Sequence, residues 1–206
     1  YPMKIYALDI DMNGSLDPIT TGYWKDQHNI MTEYPVNYMD ELAGQSNYFI
    51  KNFEGGYTPF SYTSFKNMFD TATINRVEHT FLTNTTSNYI LWNEEGGFRW
   101  ERLPEEAQVS PIKKSIIEDF NQDGLPDILL TGNDHTYDIG TGYYDANKGL
   151  LLLSSEGTPL KKLLPPSESG IVLNGMVESL LYLEGEQSFI LAGINRDTVL
   201  TYSVNR

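Results

Sequence analysis

Cysteine is absent from the 206-residue chain. Its absence excludes disulfides, thiolate metal sites and cysteine nucleophiles, and leaves the compartment open. Positive charge is scarce. Against 28 Asp and Glu stand only 14 Lys and Arg, a formal net charge of −14. Nucleic-acid binding needs clustered cations against phosphates, and anionic membrane surfaces attract the same residues, so the charge argues against both partner classes. No apolar run approaches the roughly 20 residues of a membrane-spanning helix, so no membrane insertion is expected. Histidine is limited to His28, His79 and His135, none in a metalloprotease spacing. A Gly-x-Ser-x-Gly nucleophile elbow and a phosphate-binding Gly-Lys-Ser/Thr loop are both missing. Gly140-x-Gly142 lacks a third glycine and a following helix and reads as a turn. The start, Tyr1-Pro2-Met3-Lys4, has neither an initiator methionine nor an apolar leader. The expectation is a processed chain or a piece of a longer one.

What is present is aromatic and moderately polar. Aromatics make up 13% of the chain, with 14 tyrosines, and charged residues only 20%. That composition is too apolar for an acidic disordered tail and suits a folded, largely β protein that holds cations.

Self-comparison organises the chain. Ser46-Asn47-Tyr48-Phe49-Ile50-Lys51-Asn52-Phe53-Glu54-Gly55-Gly56 recurs 41 residues later as Ser87-Asn88-Tyr89-Ile90-Leu91-Trp92-Asn93-Glu94-Glu95-Gly96-Gly97, with seven of eleven positions identical. Each copy predicts a strand, a Gly-Gly turn and a second strand. A second repeat has a spacing of 110: Asp9 to Asp17 aligns with Asp119 to Asp127, and both copies run on through apolar residues to Thr-Gly, at Thr21-Gly22 and Thr131-Gly132. Weaker echoes lie at Phe81-Leu82-Thr83-Asn84 and Phe189-Ile190-Leu191-Ala192-Gly193. Strand-turn-strand units at this period predict the four-stranded blades of a β-propeller, which must stack face to face to bury both faces of each sheet. Apolar runs such as 128–130 and 150–153 fit strands covered on both sides. The expected fold is all-β, a single propeller region over 1–206 with blades near 1–65, 66–110, 111–170 and 171–206. The first unit carries an insertion near 24–45 with a short helix expected at Val36 to Ala43, and the last has three strands. An incomplete ring, or a fragment of a seven-bladed propeller completed by other blades or domains of a longer parent chain, is therefore expected.

The two nonapeptides have the form Asp-x-[Asp/Asn]-x-[Asp/Asn]-Gly-x-x-Asp. Oxygens at positions one, three, five and nine, with a backbone carbonyl at seven, can wrap a hard cation. The first set is Asp9, Asp11, Asn13, Ser15 and Asp17; the second is Asp119, Asn121, Asp123, Leu125 and Asp127. An EF-hand is rejected, because position twelve is Thr20 or Leu130 rather than Glu and the flanks read as strands. Ordinary Asx turns could explain one such loop; two at the same place in a repeat favour Ca²⁺.

Strand, acidic nonapeptide, apolar strand and a hairpin such as Asn93-Glu94-Glu95-Gly96-Gly97-Phe98 together resemble the FG-GAP/VCBS repeat. The runs Leu103-Pro104-Glu105-Glu106-Ala107-Gln108-Val109-Ser110-Pro111 and Gly132-Asn133, followed by Tyr144-Asp145-Ala146-Asn147-Lys148-Gly149, resemble bacterial VCBS-repeat relatives of cartilage acidic protein and the ASPIC/UnbV group. The resemblance implies a propeller bearing structural Ca²⁺, exported to the cell surface, outer membrane or periplasm. The FG-GAP tripeptides are degraded, the second unit has no acidic loop, and no ASPIC/UnbV module is visible.

His135, Tyr137, Tyr143 and Tyr144 mark one loop as a candidate ligand shelf, with packing of the loop as the alternative. Trp24, Tyr34 and Tyr38 carry the same pair of readings, and Trp92 and Trp100 are expected to pack between blades. The functional expectation is an extracellular binding or scaffold module for a glycan or protein ligand. The competing reading is a carbohydrate-active enzyme, or an accessory domain of one, with Asp134, Asp138 and Asp145 as its testable carboxylates.

Overall fold

The first three strands form a meander, β1 (Met3–Leu8), β2 (Asp17–Lys25) and β3 (Met31–Pro35). A computed structural model describes residues 1–137 and 142–204 of the chain. These fall into two compact units, Tyr1–Thr86 and Ser87–Arg206. The fold is mostly β, made of antiparallel sheets of two to four strands, none closed among the described residues.

In the first unit the meander gives way to five short helices: α1 (Met39–Gln45), α2 (Tyr48–Asn52), α3 (Tyr57–Tyr62), α4 (Phe65–Met68) and α5 (Thr71–Ile74). The chain then returns as β4 (Val77–Thr83), which pairs with β1 rather than β3, so the sheet order is β3-β2-β1-β4. Leu8 and Ile19 from the sheet pack with Leu42, Phe49, Phe60 and Phe65 from the helices, and the Tyr6 ring stacks on Phe65 with centroids 4.2 Å apart.

This helical layer corrects the hairpin expected at 46–56. The four positions that differ between the two copies decide it. Phe53 stands where the second copy has Glu94, which places Phe49 and Phe53 four residues apart on one helical face, and both are buried. The second copy has Ile90 and Trp92 in alternation instead, and forms the expected hairpin from β5 (Tyr89–Glu94) and β6 (Gly97–Arg102). The short helix expected at Val36 to Ala43 is present slightly later, as α1.

The second unit continues with the meander β7 (Ile112–Glu118), β8 (Asp127–Gly132), β9 (Leu150–Ser155) and β10 (Thr158–Leu164). A short helix, α6 (Pro166–Ser169), leads to a three-stranded meander, β11 (Val177–Leu183), β12 (Ser188–Ile194) and β13 (Val199–Val204). Every residue of β8 is buried. Leu129, Leu151 and Leu153 on one face of its sheet pack with Val177, Ile190 and Ala192, while Ile128, Leu130, Leu150 and Leu152 on the other pack with Leu103, Ala107, Ile90 and Trp92. Each buried leucine contributes about 2 kcal/mol, so the four of β9 tie three layers together. Trp92 thus faces another sheet as expected. Trp100 does not: it pairs with Leu91 on the outer face of the hairpin and is 64% exposed.

The glycines near the ends of the second strands each leave room for a neighbour. A Cβ on Gly132 would collide with the Pro111 carbonyl oxygen, and one on Gly193 with Ser179 Oγ. At Gly22 it would lie 2.8 Å from the Trp24 ring.

Candidate functional site: two acidic loops

The loop joining β1 to β2 is closed by its own carboxylates. Asp9 Oδ1 and Oδ2 accept hydrogen bonds from the amides of Asn13 and Gly14 at 3.0 and 2.8 Å. Asn13 Oδ1 accepts from Ser15 N at 2.8 Å, and Asp17 Oδ2 from Ile10 N at 3.0 Å. The loop joining β7 to β8 repeats the pattern bond for bond. Asp119 accepts from Asp123 and Gly124 at 3.1 and 2.8 Å, Asp123 Oδ1 from Leu125 N at 2.9 Å, and Asp127 Oδ2 from Phe120 N at 3.0 Å. The backbone matches as well: Met12 and Gln122 have φ of 60° and 61°, and Gly14 and Gly124 of 87° and 84°. A left-handed non-glycine residue costs roughly 1–2 kcal/mol, so the same exception at the same place in both loops reflects a shared local design.

The first loop fits one hard cation. Carboxylate oxygens of Asp9, Asp11 and Asp17 lie within 4.8 Å of one another. Oxygens on opposite sides of a Ca²⁺ ion at about 2.4 Å stand about 4.8 Å apart. Asn13 and Ser15 lie exposed on the same loop. Burial of Asp17, together with the negative charges of Asp11 and Asp9, pushes its carboxyl above the ordinary carboxylate range, despite the amide of Ile10. In the second loop Asn121 replaces the second aspartate, and its Nδ2 donates to Asp123 Oδ2 at 3.0 Å. Among the described residues, only Asp9, Asp11 and Asp17 form so close a carboxylate triad. Asp127 is fully buried, and its Oδ1 also accepts from Ser154 N at 2.8 Å.

Supporting residues came from outside the motifs. The Ser46 hydroxyl, just past the end of α1, donates to Asp11 Oδ2 at 3.1 Å. Arg76 donates through Nε to the Asp9 carbonyl at 3.2 Å and through Nη2 to the Ile10 carbonyl at 2.9 Å. Ser154 Oγ donates to the Pro126 carbonyl at 2.6 Å. No spacing rule marks these residues, because each reaches its loop through tertiary packing.

The aromatic loop after β8 is anchored by a buried asparagine pair. Asn133 Nδ2 donates to the carbonyls of Asn147 and Gly175 at 2.7 and 2.9 Å, and Asn147 N donates to Asn133 Oδ1 at 2.9 Å. His135 lies against Tyr143 with ring centroids 4.7 Å apart, and Tyr137 meets Tyr144 edge-on at 4.9 Å. The four residues are thus brought together as two ring pairs, with the three tyrosines exposed. Asp134 is committed elsewhere: Lys113 pairs with it, and Thr136 donates to it from both amide and hydroxyl. These bonds hold its carboxyl well below the usual range, which unfits it as a proton donor near neutrality. Asp145 is exposed, and Asp138 lies outside the described residues.

A polar cluster on the first sheet was not anticipated. Lys4 Nζ lies 3.1 Å from Glu33 Oε2 and donates to the hydroxyls of Tyr6 and Tyr23 at 2.9 and 3.1 Å. Thr21, Tyr6 and Tyr23 donate to the same carboxylate at 2.7, 3.1 and 3.1 Å. Burial pushes the Glu33 carboxyl up, and the hydrogen bonds of Thr21, Lys4 and Tyr23 more than reverse this, leaving it below its ordinary value. The alternation that places Lys4, Tyr6, Thr21 and Tyr23 on one face was visible in the sequence; their meeting with Glu33 required the register of β2 with β3. Trp24, Tyr34 and Tyr38 come together in a cleft of the same unit with Tyr57 and Tyr62 from α3.

Comparison with protein-family models, with curated proteins and with solved structures finds no match for the chain.

Proposed function

We propose that the chain is a Ca²⁺-stabilised binding or scaffold module of the FG-GAP/VCBS propeller type, exported and acting outside the cytoplasm. The observation that carries the reading is that the loops Asp9–Asp17 and Asp119–Asp127 share the same four carboxylate- and amide-to-backbone bonds, each loop set between the first two strands of a sheet. Sheets stacked on both faces of β7–β10 support blade-like packing.

Asp9, Asp11, Asn13, the Ser15 carbonyl and Asp17 would hold the first ion, and Asp119, Asn121, Asp123, the Leu125 carbonyl and Asp127 the second. When bound, the ion supplies positive charge that offsets the clustered carboxylates. The chain's own residues do the rest. Asp9 and Asp119 shape the turns, Asp17 and Asp127 tie the loop ends to the strands, and Ser46 and Arg76 brace the first loop.

Calorimetric titration of the chelator-stripped chain with CaCl₂, paired with thermal scans, tests the reading. Saturation at about 100 times Kd stabilises a fold by about 2.7 kcal/mol, which for a chain of this size raises Tm by about 5–10 °C. No saturable heat, with an unchanged Tm, overturns it.

A further inference from the structure

Unit one contains a cleft of about 580 Å³ formed by the β2–β3 turn, the segment before α1, and α3. That volume lies within the range of small-ligand sites. Its aromatic residues present surface to solvent: Trp24 is 50% exposed, Tyr38 43%, Tyr57 58% and Tyr62 73%. Among the described residues none of these four rings is stacked on another ring. In a folded chain that buries Phe49, Phe60 and Phe65 almost completely a few residues away, four unpaired rings around one concavity are an unusual use of apolar surface.

The Trp24 indole is held in a defined pose. It folds back along its own strand over Gly22, where a Cβ would lie 2.8 Å from one ring carbon, and a Val36 methyl lies 3.5 Å from the same Cβ position. The far edge of the indole thereby rests against Gly22, while half of the residue remains exposed. Hydrogen-bonding groups follow directly in sequence: Lys25, Asp26 and Gln27 all line the cleft. Asp26 is itself prearranged. Its Oδ1 accepts from the amides of His28 and Ile30 at 2.8 and 2.9 Å, and its Oδ2 has only a long 3.4 Å contact from Thr32, which leaves that oxygen able to accept another donor.

We infer that this cleft binds a neutral saccharide, with Trp24 as the platform for a pyranose ring. A pyranose is apolar on its C–H faces and polar around its rim. It therefore requires a flat, seated aromatic surface bordered by carboxylate, amide and ammonium groups, the combination found at Trp24 to Gln27. A polyanionic ligand is disfavoured by the chain's charge of −14. Proline-rich peptides also dock on aromatic-lined grooves, but the charged groups immediately beside the Trp24 indole favour the sugar. The assignment rests on the binding-module reading and names its ligand.

The test is calorimetric titration of the Ca²⁺-saturated chain with cello-, malto-, laminari-, manno- and xylohexaose, and with a decaproline peptide. Saturable binding of at least one hexaose is expected, abolished in Trp24→Ala and unchanged in Trp100→Ala. Gly22→Ala is the sharper variant. Its methyl meets the far end of a side chain that can swing away, so the fold survives while the platform is lost, and affinity falls about tenfold or more at an unchanged Tm. No binding to any hexaose, binding that survives Trp24→Ala, or binding of decaproline alone overturns the inference. A chain that binds Ca²⁺ but no saccharide overturns the cleft assignment only, whereas a chain that binds saccharide without Ca²⁺ overturns only the metal reading.

Discussion

Ser46, 35 positions along the chain from Asp11, donates its hydroxyl to the Asp11 carboxylate at 3.1 Å and is itself 2% exposed. The helical insertion is therefore part of the first acidic loop's support. Ser46→Ala removes this bond and an acceptor for Tyr48 N. The expected cost is about 1 kcal/mol, with weaker Ca²⁺ binding at the first loop and unchanged binding at the second. Calorimetry on the variant checks both, and an equal loss at both loops contradicts the coupling.

Asp17 gives a pH prediction. Its folded pKa stands above the ordinary value of 3.8, so its contribution favours the fold below that pH and is lost as pH rises through the higher folded value. In the Ca²⁺-free state, Asp17→Asn should therefore narrow its stability deficit relative to the parent as pH rises from about 4 to 7. With Ca²⁺ present the order reverses, because the variant lacks a ligand. Urea melts at several pH values, with and without Ca²⁺, read this difference.

Glu33 runs the other way. Its carboxyl is held below the ordinary 4.5, so its contribution is present above that pH and lost as pH falls through the lower folded value. Glu33→Ala leaves the Lys4 ammonium, 20% exposed, without its carboxylate. A loss of about 2 kcal/mol is expected near neutral pH, shrinking in acid. A loss independent of pH would point to packing alone.

Gly132→Ala should be among the most damaging small substitutions in the chain, because its methyl meets backbone, the Pro111 carbonyl, rather than a side chain. A loss of about 1–3 kcal/mol is expected, against little or none for Gly22→Ala. Thermal scans of the pair separate the two cases.

Asp127→Ala strips two amides, of Phe120 and Ser154, of their acceptor in a fully buried setting. Asp127→Asn retains part of that bonding. An alanine cost of about 2–4 kcal/mol is expected, with the asparagine variant intermediate, measured by denaturant unfolding of the Ca²⁺-free chain.

Much of this arrangement was legible in the residues. The Asp-Gly spacing located both loops, and the Gly96-Gly97 pair located its hairpin, because glycine positions and short-range carboxylate bonds are local properties. The apolar runs of β8 and β9 announced strands covered on both faces. The segment 46–56 was not legible by analogy with its repeat, since Phe53 in place of Glu94 changes which periodicity can bury a face. Nor was the pairing of β4 with β1, which depends on where a 41-residue excursion returns the chain. Ser46, Arg76 and Ser154 stayed hidden for the same reason: their partners are set by packing rather than by sequence neighbours.

The pairing of Met3 with Thr83 carries a kinetic consequence. In the second unit, Glu118 pairs with Asp127 across one short loop, and within the β7–β10 and β11–β13 sheets each strand pairs with the one before it. Such ladders zip from local nuclei, whereas β4 must find β1 after the helices between them have condensed, at a larger loop-closure cost. The first unit is thus expected to acquire its last strand late, and until then β1 presents a bare edge to whatever chain is nearby. Crowded synthesis or refolding at high concentration would expose this interval as intermolecular strand exchange before any weakness in the finished fold is visible.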